Sequence, residues 1–552
     1  KNITDEELKC WLDLSLIDSP FQEHLLPNLP LALELFQNLH KKQGMKHICI
    51  VSDFDCDGIS SAVVAYKSLS KIFQFPQPYT LSCIVNKRIN GTGYNKTLIQ
   101  RILDKHQELP IDIMISFDHG SSDEASYKIL KEKMKDTKFI ITDHHLPHLD
   151  NMPVSADVFI NPHIVGETND FLNISGCSVG FFTLFYIYQH LYNKTYIETI
   201  SAFREVLPNV GISTISDVMP LNNIFNRYLA YNGIKEMNSF KHPIWYDLRE
   251  YMNVDIKFSY KDISHKLAPL INTGNRVNIE QTVFDFLVEE NRDKRFQLLE
   301  KIIRGNERRK SEVEHVVEKL LKSIDIEQTH RGLCLFINTS SSINGIIAAN
   351  IGEKFITPTV CFNMSVETDV ISGSLRAIVN GFSIVNLLEA ITEEDPNVLL
   401  GYGGHIGAGG CSLKKENIER FQELFHKHTE SLLSKIEDVG VIEVDLDIDS
   451  NKISYELYEQ LQVPEPYGKD WDIPILKSRF KLIDIRPSAK RVQLYLATKD
   501  NRKYRAYYTY KTDKDLLLKK LKVGDYIDMI FTLERLSYMP GQLVLLVKHL
   551  II

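Results

Sequence analysis

The spacing of hydrophobic and polar positions changes character three times along this chain. In its first third, short apolar runs recur at intervals: "HICIV" (47–51), "TLSCIV" (80–85), "IDIMISF" (111–117), "KFIIT" (138–142) and "ADVFI" (156–160). Short, mostly apolar runs of this kind predict strands buried on both faces. Stretches with helical spacing lie between most of them, over 60–72, 95–105 and 122–133. Such alternation predicts a parallel sheet with helices on both sides. From about 277 to 322 the pattern turns charged and helix-forming, without proline and with Gly305 as its weak point. A solvated helical hairpin and a long connector between two lobes both fit that stretch. A second αβ alternation follows ("GLCLFINTS", "TPTVCFN", "VISGSLRAIV") and ends at "GYGGHIGAGG" (401–410). Beyond about 439, strand-like segments dominate and predict a small β-barrel.

Length and composition narrow the class. With 552 residues, 43% of them hydrophobic and 25% charged, the chain needs several cores of ordinary globular make-up. Its formal charge of −8 excludes a generally basic protein, so any nucleic-acid site must be a local cluster of Lys and Arg. The eight cysteines form no CxxC pair and several sit in apolar runs, which predicts buried thiols in a reducing compartment. The opening "KNITDEELKCWLDLS" is polar and acidic, unlike the core of a signal peptide. The most apolar stretch, "VGFFTLFYIY", stops at Gln189-His190, short of a membrane span. A soluble, cytoplasmic protein without a membrane partner is expected.

The chemistry gathers after the strands. "SDFDCDG" (52–58) follows the first, "NKRINGTGY" the second, "DHGSS" the third and "DHHLP" the fourth, while "ISDVMP" comes later. Carboxyl ends of strands in open α/β sheets are where ligands bind. Asp53, Asp55, Asp57, Asp118, Asp143, His144, His145 and Asp217 can therefore converge, although they are far apart in sequence. Converging carboxylates need concentrated positive charge, and two divalent ions are a common solution where phosphoesters are hydrolysed. Mixed carboxylate and imidazole donors favour Mn2+ over Mg2+. Taken alone, a DxDxD string reads equally well as a turn or a calcium loop. Its placement with the other motifs carries the inference.

In the order "DFDCDGISS", "DHG", "TDHHLP" and "SDVMP", these motifs resemble the DHH phosphoesterase superfamily. "KLAPLINTGNR" (266–276), "INGIIAANIGEKF", "ISGSLRA" and "GYGGHIGAGG" are similar to later motifs of its RecJ branch of single-strand-specific 5′→3′ exonucleases. The resemblance implies Asp55 and Asp57 as ligands of one ion each, with Asp53 joining or buttressing the first. It implies Asp118 as the bridge between the ions, and His144 and Asp217 as ligands completing the second. His145 would reach the phosphate or orient a neighbour, and Asp143 would hold an imidazole in its ligating tautomer. The implied reaction is in-line attack on phosphorus by an activated water.

Arg88, Tyr94, Asn272, Arg276, Arg376 and His405 are the implied contacts to phosphate or sugar. For Arg88, Tyr94, Asn272, Arg276 and Arg376 a structural hydrogen bond is the alternative. The last part carries the nucleic-acid signal: 477–511 holds eleven Lys or Arg, two Asp and five Tyr. Basic groups beside aromatic faces suit single-strand binding by an OB-type barrel. The expected contacts are Lys490, Arg491, Arg502, Lys503 and Arg505, because alternation puts some of the tyrosines in the core.

The expected architecture is α/β: a helical segment over 1–43, a parallel-sheet DHH domain over 44–235 and a helical connector over 236–325. A smaller α/β DHH-associated domain follows over 326–436, then an OB-like barrel over 437–552. The expected activity is removal of mononucleotides from the 5′ end of single-stranded DNA, by a monomer working beside a single-strand-binding protein or a helicase. A phosphodiesterase for short oligonucleotides or cyclic dinucleotides is the alternative within enzymes, and a replisome scaffold the alternative outside them. "INTGNR" departs from the commoner "INAAGR" of the branch, and His119 stands where Asn is usual. "SSINGII" lacks a His often present, and "SLRA" replaces "SxRS". Such departures suit a divergent bacterial or phage-encoded member.

Overall fold

The structure, a computed structural model, describes Lys9, Trp11, Leu14, His24 and residues 26–73, 79–166, 171–254, 257–324, 331–339, 342–364, 369–436, 442–488, 491–509, 519–535 and 542–551. The chain divides into two compact units, one of Lys1–Ile302 with Val444–Ile552 and one of Ile303–Glu443.

In the first unit, β1 (Lys46–Ser52), β2 (Tyr79–Val85), β3 (Ile113–Phe117), β4 (Lys138–Thr142) and β5 (Val158–Ile160) form a parallel sheet in the order β2-β1-β3-β4-β5. Every residue of β1 and β3 is buried, as central strands with two covered faces require. Cys49, Val51, Met114, Phe139 and Ile141 pack on one side against Leu98, Ile102, Tyr127 and Leu130 of the helices Lys96–Glu108 and Glu124–Lys133. The helix Cys56–Phe73 covers the other side, with the helices Gly176–Leu191 and Leu207–Ser216 packed on it. The chain runs from β1 outward to β2 and then returns past β1 to β3. Loops leaving β1 and β3 at their carboxyl ends therefore diverge and open a crevice, the usual ligand site of this topology. "SDFDCDG" and "DHGSS" are those two loops.

One predicted boundary shifts with consequence. The helix after β1 begins at Cys56 instead of near 60, because Asp55 caps it. Asp57 thereby moves from a loop into the first helical turn. The charged stretch after 277 folds as a short helix, Glu280–Val288, and then one unbroken helix of 30 residues, Arg292–Leu321. The hairpin reading is thus corrected. A glycine inside a helix costs about 1 kcal/mol, which the Glu, Lys, Arg and Leu around Gly305 absorb. The chain passes from the first unit into the second within this helix.

The second unit holds β6 (Leu333–Ile337), β7 (Thr359–Asn363), β8 (Val370–Arg376), β9 (Gly401–His405) and β10 (Ala408–Lys414), in the order β6-β7-β8-β10-β9. Only β6 and β7 run parallel. The glycine string 401–410 is therefore a β-hairpin rather than a loop, and β9 is its exposed edge strand.

Returning to the first unit, β11 (Leu446–Asp447), β12 (Leu476–Pro487), β13 (Arg491–Ala497), β14 (Lys503–Thr509), β15 (Tyr526–Arg535) and β16 (Leu543–Ile551) form the C-terminal sheet. Its order is β11-β12-β13-β14-β16-β15, and a further β12–β15 pairing closes the last five strands into a barrel. Full closure leaves no free edge among those five strands. Phe480, Leu482, Leu494, Leu496, Ala506, Tyr508, Met529 and Phe531 fill it.

The barrel is fastened to the rest of its unit by a fully buried arginine. Arg227, on the helix Ile224–Met237, donates to the carbonyls of Trp11, Pro464, Glu465 and Pro466. Its guanidinium lies 4.5 Å from the Trp471 ring centroid and 5.8 Å from that of Trp11, and the two indoles stack at 5.1 Å. Lys261 adds an ion pair to Glu534 of β15. Among the described residues, no helix is long and apolar enough to cross a membrane.

Candidate active site

The turn after β1 is pinned on all sides. The Asp53 N–H donates to the Phe117 carbonyl at 3.3 Å, which ties the turn to the end of β3. One Asp55 oxygen, Oδ1, accepts the N–H groups of Asp57 (2.9 Å) and Gly58 (3.0 Å), capping the helix that follows. Gly58 is obligatory here, since a Cβ would lie 2.4 Å from the Asp53 carbonyl oxygen. Asp57 is 2% exposed and points at a second helix N-terminus: its two oxygens accept from Gly176 (2.8 Å) and Cys177 (2.9 Å), and Ser213 donates at 2.5 Å. That helix dipole supports its negative charge.

Asp118 leaves β3 in the left-handed region at φ 62°, with its N–H held by the Thr142 carbonyl at 3.0 Å. Gly176 makes room for it, since a Cβ there would meet Asp118 Oδ1 at 2.4 Å. His144 donates Nδ1–H to the Ile174 carbonyl at 2.8 Å, which turns Nε2 toward the carboxylates. Nε2 lies 3.3 Å from Asp118 Oδ1, 3.6 Å from Asp217 Oδ2 and 3.9 Å from Asp57 Oδ2. Asp217 closes the group from the end of the helix Leu207–Ser216.

Donor atoms fall into three overlapping groups, each within 4.8 Å: Asp53, Asp55 and Asp118; Asp57, His144 and Asp217; Asp118, His144 and His145. The structure thus brings together all seven expected ligands and catalytic residues. Asp118 and His144 each serve two groups, as a bridge between neighbouring ions would. Oxygens of Asp53, Asp118 and Asp217 are buried and accept no hydrogen bond.

Electrostatics say the same. Burial, then the neighbouring Asp55, pushes Asp53 up to about 8 and Asp57 up to about 6. Burial, followed by Asp57 and Asp55, raises Asp118 and Asp217 well above the ordinary carboxylate value. Carboxylates crowded this closely, with His145 at the edge of the group and several oxygens left without a hydrogen bond, suit a divalent ion. Donors 3–4 Å apart match oxygen and nitrogen ligands at about 2.1 Å from a small cation.

His145 is held by Asp143 at 2.8 Å through Nδ1. Its partial burial lowers its pKa, but the Asp143 carboxylate outweighs this and holds it up at about 10. Asp143 also accepts from the backbone of Ser121, His144 and His145, and His145 keeps it below the usual carboxylate range despite burial. The imidazole oriented by Asp143 is therefore that of His145, whereas a main-chain carbonyl orients His144.

Two expected substrate contacts take other positions. Tyr94 is 4% exposed and lies in the core, stacked on His119 with centroids 4.7 Å apart and planes 7° apart. Its ring joins the apolar layer between sheet and helices, so it is not at the mouth of the site. Burial pushes His119 down to about 4, a neutral core imidazole. Asn272 Oδ1 accepts the Cys56 N–H at 3.0 Å and so braces the carboxylate turn from behind. Arg88 does face the site, with its guanidinium 5.8 Å from the Phe54 ring centroid. Burial lowers its pKa, while Asp55 and Asp53 act against that. Glu280 accepts the Arg88 backbone N–H at 3.3 Å. Arg276 ends the short helix Thr273–Arg276, which packs on the turn carrying Arg88.

In the second unit, Arg376 ends β8 and lies over the first turn of the helix Asn344–Phe355, where a Cβ on Gly345 would meet its Nη2 at 2.5 Å. His405 ends β9 and is exposed.

On the barrel, alternation sorts the basic and aromatic residues. Arg491, Tyr495, Lys503, Arg505 and Tyr507 stand on the outer face of β13 and β14, with Tyr495 opposite Arg505. Arg486 covers the Tyr495 ring at 4.6 Å and Arg491 covers Tyr507 at 4.7 Å. Arg502 is engaged elsewhere: it pairs with Asp500 at 3.0 Å and donates to the carbonyls of Ile453 and Asn451. It is a structural brace, which corrects its reading as a DNA contact. Lys490 lies outside the described residues.

Sequence reasoning missed the Ile174 carbonyl, Ser213, Asn275 and the helix N-terminus at Gly176. Only the last had a local signal, the capping Ser175 before an apolar run.

Comparison with known proteins follows the same outline. Residues 47–202 match the DHH family, N-terminal domain, and residues 444–548 match the RecJ OB domain. The single-stranded-DNA-specific exonuclease RecJ of Haemophilus influenzae is 26% identical over 486 residues, covering 85% of this chain and 81% of that protein. The Escherichia coli protein of the same name is 25% identical over 487 residues, covering 86% and 81%. The crystal structure of Thermus thermophilus RecJ in complex with Mn2+ superposes with a TM-score of 0.77 at 20% identity, covering 98% of this chain and 73% of that one.

Proposed function

We propose that this chain, a RecJ-like member of the DHH phosphoesterase superfamily, is a metal-dependent exonuclease that removes mononucleotides from the 5′ end of single-stranded DNA. The observation that carries this reading is the set of three donor groups sharing Asp118 and His144, with buried oxygens that accept no hydrogen bond. Asp53, Asp55 and Asp118 would hold one divalent ion, and Asp57, His144 and Asp217 a second, with Asp118 reaching both. Mn2+ suits the mixed oxygen and nitrogen donors better than Mg2+. Bound ions supply Lewis acidity at phosphorus and lower the pKa of water.

The chain's own residues do the rest. Asp55 and Asp57 keep their carboxylates in place by accepting from the N–H groups of helix N-termini. The bond from His144 Nδ1 to Ile174 fixes the tautomer that offers Nε2. His145, held protonated by Asp143, offers Nε2–H to a phosphate oxygen beside the carboxylates. Arg88 and Arg276 supply guanidinium contacts to the neighbouring phosphate. Arg376 and His405 are carried as further phosphate contacts on their motif positions. The outer face of β13 and β14 would hold the strand further along.

Single strands labelled at the 5′ or the 3′ end, a duplex and a dinucleotide, each incubated with Mn2+, test the reading. Release of labelled mononucleotide first from the 5′ end of the single strand is expected. Release first from the 3′ end, or preference for the dinucleotide, would overturn it, the latter in favour of a short-oligonucleotide phosphodiesterase.

A further inference from the structure

We infer that Asn275 is a positioning residue for the carboxylate turn, holding Asp55 and Asp57 in their ion-binding arrangement through Phe54 and Asn272. Asn275 is 1% exposed. Its Nδ2 donates to the Phe54 carbonyl at 3.4 Å and to Asn272 Oδ1 at 3.1 Å. Asn272 Oδ1 in turn accepts the Cys56 N–H at 3.0 Å. Phe54 and Cys56 flank Asp55 on either side, so two amides from a distant segment fasten the main chain around that carboxylate. The turn's other fastenings, from Asp53 to Phe117 and from Asp57 and Gly58 to Asp55, leave these two groups to Asn272 and Asn275.

Stability alone does not account for the amide. Its Oδ1 is buried with no hydrogen-bond partner, and an orphaned acceptor costs about 1–3 kcal/mol. An apolar side chain of the same size would avoid that cost. The glycine of this motif sits one position earlier, where a Cβ on Gly274 would meet Val283 at 2.9 Å and the Glu280 Cα at 3.2 Å. Close packing of the helix Glu280–Val288 thus claims position 274, and 275 is free to carry the amide. Groups that orient ligands from behind are typically worth about 10–100-fold in metal affinity.

The inference rests on the reading that the site takes divalent ions, and Mn2+ binding tests it without DNA. The full chain is titrated with Mn2+, free ion is read by electron paramagnetic resonance, and the melting temperature is measured without ions. Asn275→Ala should weaken Mn2+ binding by about tenfold, with the ion-free melting temperature unchanged or higher. Asn275→Ser, too short to reach Phe54, should do the same. Because Asn275 acts partly through Asn272, the double variant with Asn272→Ala should lose less than the two single losses combined. Wild-type affinity in both Asn275 variants, full additivity, or a fall in ion-free melting temperature would overturn the inference and leave the functional reading intact. A wild-type chain with no Mn2+ affinity would overturn both.

Discussion

Two surfaces of the same unit handle charge in opposite ways. At the sheet's carboxyl ends, Asp53, Asp118 and Asp217 crowd buried oxygens that accept no hydrogen bond. On the barrel, Arg486 and Arg491 already rest on Tyr495 and Tyr507, in water and with favourable contacts. The first surface is frustrated until a cation arrives, so binding relieves a cost that folding incurred. The second is satisfied beforehand, so DNA must exchange one good contact for another. Such a difference predicts tight, ion-specific binding at the one and weak, salt-sensitive, interchangeable binding at the other.

The sharpest way to break that comparison is Asp118→Asn. Asparagine tolerates the left-handed backbone at 118, where alanine would add strain. Hydrolysis should fall by more than the ~100-fold upper end of outer-sphere losses, while single-strand affinity, measured by anisotropy, stays the same. The ion-free variant should also melt higher than wild type, because one member of a repelling set has lost its charge.

The pH dependence follows with its sign. Asp53 and Asp57 titrate at about 8 and about 6 in the folded chain, above the ordinary carboxylate value. The folded ion-free chain therefore binds more protons than the unfolded one, and its stability declines as pH rises through that window. Thermal melts between pH 5 and 8 should show this decline without ions, a shallower one for Asp118→Asn, and little decline with saturating Mn2+.

On the barrel the expected effects are smaller. Tyr495→Ala and Tyr507→Ala should each cost about 1–3 kcal/mol of single-strand affinity if a base stacks there. Arg491→Ala should reduce the salt slope by about one ion. Arg502→Ala should lower the melting temperature and leave the slope unchanged, since its guanidinium ties β14 to the 451–453 turn. A changed slope for Arg502 would restore it as a phosphate contact.

The smallest change expected is at Val218, beside Asp217. This β-branched residue sits at φ 55° after the helix Leu207–Ser216, and its side chain is half exposed. Val218→Gly should stabilise the fold by up to about 1 kcal/mol, since little packing is lost.

What was legible in the sequence was what neighbours along the chain decide. Five strands showed in short, mostly apolar runs, and most of the carboxylates and His144 showed because they follow a strand; Asp217, at the end of a helix, showed only through its motif. The closed barrel was legible from alternation, which also put some of the tyrosines inside, and Tyr508 is one that is. Facts settled by residues 30 or more positions away were not legible: Ile174 fixing the tautomer of His144, Asn272 and Asn275 fastening the turn, and Arg227 beside two stacked indoles. Tyr94 was misplaced because an aromatic in a polar loop looks like a substrate contact. The turn through Gly91 and Gly93 carries it back into the helix–sheet layer.

The Arg227 joint has a mechanical consequence. A guanidinium packed against the stacked pair Trp11 and Trp471, with four carbonyls accepting from it, leaves the barrel no loose tether on which to swing. A strand held on the outer face of β13 and β14 would then sit at a fixed offset from the carboxylates, as on a jig, and each cut would have to advance it past both points together.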